Sequence, residues 1–196
     1  MIDRDIICIL IAYLLGGICT GYYLVRLKTK RDIRECGSGG VGARNAGRIL
    51  GASGFAVTLL GDALKGLAAV ALAHWFGLAA PVVSLVLVAV VAGHVWPLFL
   101  QFRGGRGIAP AIGAYLAFDS NLAMLLFGLT LVLLIFRRGF ILSGLTAFLT
   151  LPLVAYALDM PDHAVAALTA VSVIILFAHR ERIRKAFSAG LPQKEA

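Results

Sequence analysis

The chain has 196 residues, 60% of them hydrophobic and 14% charged, with a net charge of +8 and a mean hydropathy of +0.92. A soluble domain carries about 25% charged and about 45–50% apolar residues. The balance excludes disorder and a secreted disulfide scaffold, argues against a soluble enzyme, and predicts a polytopic membrane protein.

Apolar runs lie at 5–25, 54–77, 81–100, 108–118, 120–136, 139–158 and 162–178. Seven helices of about 20 residues use roughly 140 positions, so no separate soluble domain fits. The expected class is all-α: one transmembrane domain over 1–196 with about seven crossings. The run at 108–118 is the shortest. All basic residues except Arg4 and Lys65 fall in the connections at 26–53, 101–107 and 137–138 or in the tail, 179–196. The remaining connections carry Asp119, Asp159 and Asp162. Basic and non-basic connections alternate if all seven runs cross. Lys and Arg gather on the cytoplasmic side. The pattern therefore places the N-terminus outside, the C-terminus in the cytoplasm, and the four basic segments on the cytosolic face. The start, Met1 to Asp5, is not the basic region of a signal peptide. Cys8 and Cys19 on one straight helix would be about 16 Å apart, too far for a disulfide. With Cys36 in a basic loop, three free thiols are expected.

Four polar motifs interrupt this pattern. In chain order, the first is Gly37-Ser38-Gly39-Gly40-Val41-Gly42-Ala43-Arg44-Asn45-Ala46-Gly47-Arg48. Glycines at 37, 39 and 42 let successive backbone N–H groups converge on an anion. Ser38 adds a hydroxyl and Asn45 an amide, and Arg44 and Arg48 add guanidinium forks suited to phosphate. A dinucleotide-binding turn is excluded, because residues 28–35 form no buried strand. A Walker loop is excluded, because Ala-Arg follows Gly42. The plainer reading is a basic loop that only sets topology.

The second motif, Gly61-Asp62-Ala63-Leu64-Lys65-Gly66, puts two ionisable groups inside an apolar run. Such groups are costly and face a bundle interior or a cavity. At i,i+3 they can neutralise each other. They serve either as a structural pair or to orient and attract a ligand through Lys65. The third motif runs from Gly93-His94 through Trp96-Pro97 to Arg103-Gly104-Gly105-Arg106-Gly107. Its two arginines sit among glycines before a helix start, while His94 reads as a packed polar group. The fourth is His179-Arg180-Glu181-Arg182-Ile183-Arg184-Lys185, which also fits a plain basic stop.

Absences narrow the chemistry. No histidine is followed by a His-x-x-x-x-Asp pair, and there is no serine nucleophile elbow and no metal-spaced cluster, so neither metal nor cofactor is expected. Aromatics are not interleaved with a basic face, so nucleic acid is not an expected partner.

Together these motifs resemble the bacterial acyl-phosphate:glycerol-3-phosphate acyltransferase family, the PlsY type. Its patterns GSGNxGATNxxR, DxxKG, GHxxPxFxxFKGGKGVAT and HRENI correspond to GSGGVGARNAGR, GDALKG, GHVWPLFLQFRGGRGIAP and HRERI in this chain, in the same order. The resemblance implies a multi-pass protein of the bacterial inner membrane with its site on the cytosolic face. It implies acyl phosphate as donor and glycerol 3-phosphate as acceptor, with lysophosphatidic acid and phosphate as products. It implies substrate-assisted catalysis, a substrate phosphate taking up the hydroxyl proton. Ser38, Arg106 and His179 are then the expected catalytic residues. Gly37, Gly39, Gly42, Asn45, Arg48, Lys65, Arg103 and Arg106 are the expected phosphate-binding set. The expected state is a monomer in the lipid bilayer. Ser38 is expected to donate a hydrogen bond rather than attack covalently, since no activating base is adjacent. The chain departs from the pattern at Gly40, Arg44, Arg103, Arg106, Pro110 and Arg182. A non-catalytic paralogue and a transporter of a phosphorylated solute are the competing readings.

Overall fold

The computed structural model describes residues 3–135 and 140–188, and all its regular structure there is helical. The basic connection at Arg137 and Arg138 and the tail beyond Ser188 lie outside the described residues.

The first apolar run is two helices rather than one. α1 spans Arg4–Gly16 and α2 spans Thr20–Thr29, bent by 41° at the break. The break follows the pair Gly16-Gly17, and α2 carries Arg26 and Lys28 in its last turn, where cations oppose the helix dipole. A 3₁₀ turn at Ile33–Glu35 and the glycine loop lead into α3, Ala43–Trp75. α3 is kinked at Gly51, whose φ of 73° interrupts the helix. The connection read as 26–53 is therefore helical at both ends. α4 covers Ala80–Val95 and is followed by a 3₁₀ turn at Leu98–Leu100. α5 (Ile108–Phe118), α6 (Ser120–Ile135), α7 (Phe140–Ala157) and α8 (Asp162–Ala178) follow. α9 (Arg180–Ser188) is a short basic helix.

Among the described residues, α3 and the stretch Ala80–Leu100 are long and apolar enough to cross a membrane, and α1 with α2 makes a third, broken span. At about 1.5 Å per residue α5 is roughly 16 Å long, short of a bilayer core of about 30 Å. Leu60, Leu64, Leu72, Phe127, Leu131, Leu153 and Val173 are exposed, as expected of a surface that meets lipid. The core gathers Val86, Leu87, Val90 and Val91 of α4 with Ala111, Ala114 and Tyr115 of α5 and Leu168, Val171 and Ile175 of α8.

Glycines set the closest approaches. Any Cβ on Gly66 would strike the Pro110 carbonyl, and any Cβ on Gly113 would strike that of Ala63. α3 and α5 therefore meet backbone to backbone, the small-residue packing typical of membrane helices. Gly16 and Gly93 do the same between α1 and α4.

The broken first span is held by charge. Lys65 Nζ lies 2.9 Å from Asp62 Oδ1. The ammonium also donates to the Ile18 carbonyl (2.7 Å) and to His94 Nδ1 (2.8 Å), and Asp62 accepts from the Thr20 backbone N–H (3.2 Å). The free backbone groups at the α1–α2 break are thus satisfied at a depth where lipid offers no partner. His94 accepts at Nδ1, so its proton is on Nε2. All three cysteines are free thiols.

Lys65→Met should lower stability by about 3–5 kcal/mol, because it strands a buried carboxylate. Adding Asp62→Asn should recover part of that loss. Unfolding midpoints in detergent micelles measure both. Equal midpoints for Lys65→Met and the unaltered chain would show that the pair holds nothing.

Candidate active site

The glycine loop is built around one side chain. Asn45 is 2% exposed. Its Nδ2 lies 3.1 Å from the Ile33 carbonyl and 2.9 Å from those of Cys36 and Gly40, while Oδ1 accepts from the Ser38 N–H at 3.0 Å. With two amide hydrogens facing three carbonyls, Asn45 shapes the loop. Gly37 and Gly39 have φ of 58° and 68°, the left-handed turns expected of them, whereas Gly42 caps the start of α3 in an extended conformation. Any side chain at Gly37 would strike Asn45 Oδ1. This scaffold leaves the Ser38 side chain exposed.

Arg34 ties the loop's approach to the third motif. It pairs with Asp32 at 2.6 Å, donates to the Leu100 carbonyl at 3.1 Å and stacks over Tyr22. Hydrogen bonding to Arg34 holds the Asp32 carboxyl below the usual carboxylate range.

The third motif folds back on α4. Gly104 N–H donates to the Val95 carbonyl (3.2 Å) and Gly105 N–H to the His94 carbonyl (2.9 Å). A side chain at 104 would strike the His94 and Val95 carbonyls, and one at 105 the His94 imidazole ring, so the two glycines are required by close approach. The hairpin carries Arg103, exposed, and Arg106, half-buried, to the start of α5. Burial first, and then the fields of Arg182 and Arg44, lower the affinity of Arg106 for its proton, though a guanidinium stays charged throughout.

His179 ends α8. Its Nδ1 donates to the Ile175 carbonyl at 2.8 Å, which leaves Nε2 as an acceptor. Burial lowers its pKa to about 4, aided by Arg106 and Arg182 and opposed by the Ile175 hydrogen bond. It is therefore a neutral imidazole near pH 7.

These pieces enclose a cleft of about 650 Å³. Ser38, Gly39, Gly42, Asn45, Arg103, Arg106 and His179 line it, together with Arg44, Arg180 and Arg182. The starts of α3 and α5 both lie on it and add partial positive charge. The opposite wall is apolar: Ile112, Leu126, Phe127, Leu131, Leu134 and Phe148. A shallower groove lined by Ile112, Leu116, Met124 and Phe127 adjoins that wall, where Leu116, Met124 and Phe127 are exposed.

Three expected site residues stand apart from the lining. Gly37 is an exposed loop residue outside the lining, and Arg48 is exposed beside it, one turn beyond Arg44. Lys65 is behind the cleft and reaches it only through Asp62 and His94, which do line it. Sequence reasoning gave Arg44 a fork suited to phosphate but kept it, with Arg182, out of the expected binding set. It also left out the apolar wall, since hydropathy does not separate a cleft-facing leucine from a lipid-facing one.

Comparison with known proteins is consistent along the chain. The family model for glycerol-3-phosphate acyltransferase matches residues 6–189. Glycerol-3-phosphate acyltransferase 1 of Desulfitobacterium hafniense is 49% identical over 181 residues, covering 92% of this chain and 90% of the relative. The glycerol-3-phosphate acyltransferase of Geobacter sulfurreducens is 36% identical over 93% of each chain. The fold matches the crystal structure of PlsY (YgiH), an integral membrane glycerol 3-phosphate acyltransferase, in its glycerol 3-phosphate form. The TM-score is 0.86 at 30% identity, covering 95% of this chain and 94% of the other. The lysophosphatidic acid form of PlsY matches with a TM-score of 0.84 at 29% identity, covering 95% and 93%. With four motifs in order, the same helical fold and matches spanning nearly its whole length, this chain belongs to the glycerol-3-phosphate acyltransferase family.

Proposed function

We propose that this protein transfers a fatty acyl group from acyl phosphate to the hydroxyl of sn-glycerol 3-phosphate at the cytosolic face of a bacterial inner membrane. The observation that carries this reading is the two-sided cleft: arginines and helix starts at one end, an apolar wall at the other. An acyl phosphate has that same division. Its tail gains about 0.8 kcal/mol for each CH₂ moved from water to an apolar wall, and its phosphate requires cations. The relatives named for glycerol 3-phosphate supply the acceptor.

The acceptor hydroxyl oxygen bonds to the acyl carbon while the bond from that carbon to the phosphate-bearing oxygen breaks. The hydroxyl proton passes to the departing phosphate. Acyl phosphate is already activated, so positioning and charge stabilisation carry the catalysis. Arg106 and the Ser38 hydroxyl offset negative charge. Neutral His179, with Nε2 as acceptor, orients the hydroxyl. Asn45 acts through the loop it holds, Arg103 and Arg48 add field from the rim, and Lys65 fixes the wall behind. The protein works as a monomer with seven crossings and its N-terminus outside. Neither metal nor cofactor takes part.

Purified protein given acyl phosphate and radiolabelled glycerol 3-phosphate should form lysophosphatidic acid without acyl-CoA or metal. A correctly folded preparation that forms none would sink the proposal. Arg106→Ala should lower kcat/KM for glycerol 3-phosphate by about 2–4 kcal/mol in transition-state terms, whereas exposed Arg48→Ala should cost about 1 kcal/mol or less. Equal losses would place Arg48 in the cleft after all. His179 also makes a pH prediction. Its folded pKa lies below the unfolded value of about 6.5, so the unfolded chain binds the proton first as pH falls. Stability should drop as pH goes from about 6.5 to about 4 and level off below. His179→Gln should remove about 1–2 kcal/mol of that loss, discounted for solvent at the cleft mouth. Unfolding midpoints at pH 7 and pH 4.5 measure it.

A further inference from the structure

Arg44 and Arg182 stand where the family pattern carries threonine and asparagine. They come from distant elements, the first turn of α3 and the short helix α9, yet both line the cleft with Arg106. None of the three has a hydrogen-bond or ion-pair partner among the described residues. Their fields overlap: Arg44 and Arg182 both act on Arg106, and Arg44 and Arg48 both act on Arg182. Glu181 is the carboxylate whose field reaches Arg106, and it is exposed. Asp62, the carboxylate in the cleft lining, is already paired with Lys65. Arg180 is also engaged, donating to the Phe177 carbonyl at 3.0 Å and stacking on the Phe177 ring.

Three unpaired guanidinium groups in one cleft repel one another when the cleft is empty, and part of that cost is relieved when an anion enters. The anion that fits is a phosphate dianion, whose oxygens match guanidinium forks two at a time. The proposed reaction brings two phosphate groups into the cleft, one on each substrate, and the motif positions there already include Ser38 and His179, shared with the family, and Arg106, a cation where the family pattern has lysine.

Resting on the acyltransferase reading, we propose that Arg44 and Arg182, with Arg106, form a second phosphate seat that retains the inorganic phosphate released by transfer, so that the protein is inhibited by this product. Arg44 and Arg182 are thus specificity-determining residues of this chain, and they make its turnover sensitive to phosphate and to salt.

The test uses the full chain in phosphatidylcholine nanodiscs, with inorganic phosphate as the probe. Calorimetry measures phosphate binding, and the acyl-transfer assay measures its inhibition. Arg44→Thr and Arg182→Asn should each weaken phosphate binding by roughly tenfold, the loss expected of one charge-assisted contact. The double variant should lose phosphate inhibition, with an unfolding midpoint close to that of the parent. Arg44→Lys with Arg182→Lys should retain binding to within about fivefold, because it keeps the charge and loses only the fork. Unchanged phosphate binding in the double neutral variant would overturn the proposal, as would equal losses in the lysine and neutral variants. Displacement of phosphate by added phosphatidylglycerol would assign the seat to a lipid headgroup and overturn the product role. Phosphate binding by a parent chain that makes no lysophosphatidic acid would refute the acyltransferase reading and leave the seat standing.

Discussion

A lysine and an aspartate facing each other at membrane depth hold much of this structure in place. Neither charge would be tolerated there alone. Lys65 and Asp62 satisfy each other and also take up the two backbone groups, at Ile18 and Thr20, that a broken helix would leave bare. The same ammonium fixes the ring of His94. The carbonyl of His94 in turn anchors the hairpin that carries Arg103 and Arg106. A single buried pair therefore links the first span, α3, α4 and the cationic end of the cleft.

Glycine then determines how near the pieces come. At Gly66 and Gly113 the helices α3 and α5 touch through their backbones, and the starts of both helices lie on the cleft. Two helix dipoles and several arginines converge there, while the leucines and phenylalanines of α5, α6 and α7 line the opposite wall.

The helical class and the four motifs were legible in the sequence because hydropathy and glycine spacing are local signals. The break at Gly16-Gly17 was not, since hydropathy runs on through Ile18 and Cys19 while the backbone bends. Nor was the helical start of α3 at Ala43: basic and glycine-rich residues hid eight helical positions before the kink at Gly51. Asn45 read as a ligand for phosphate, yet its amide is taken up by loop carbonyls whose positions no spacing rule supplies. Lys65 read as a ligand-facing cation for a similar reason, since its carbonyl and imidazole partners lie 47 and 29 residues away. Arg44 and Arg182 are the reverse case. They looked like departures from a motif and only the fold brings them to one cleft.

The apolar wall meets a shallow groove whose residues, Leu116, Met124 and Phe127, are exposed on α5 and α6. A long-tailed ligand can slide into such a site sideways from the leaflet without its chain entering water. Its supply then depends on its surface density in the membrane rather than on its bulk concentration. Diluting that surface with inert lipid or detergent would starve the cleft even at a fixed total amount of ligand, while a water-borne partner arriving from the polar end would be unaffected.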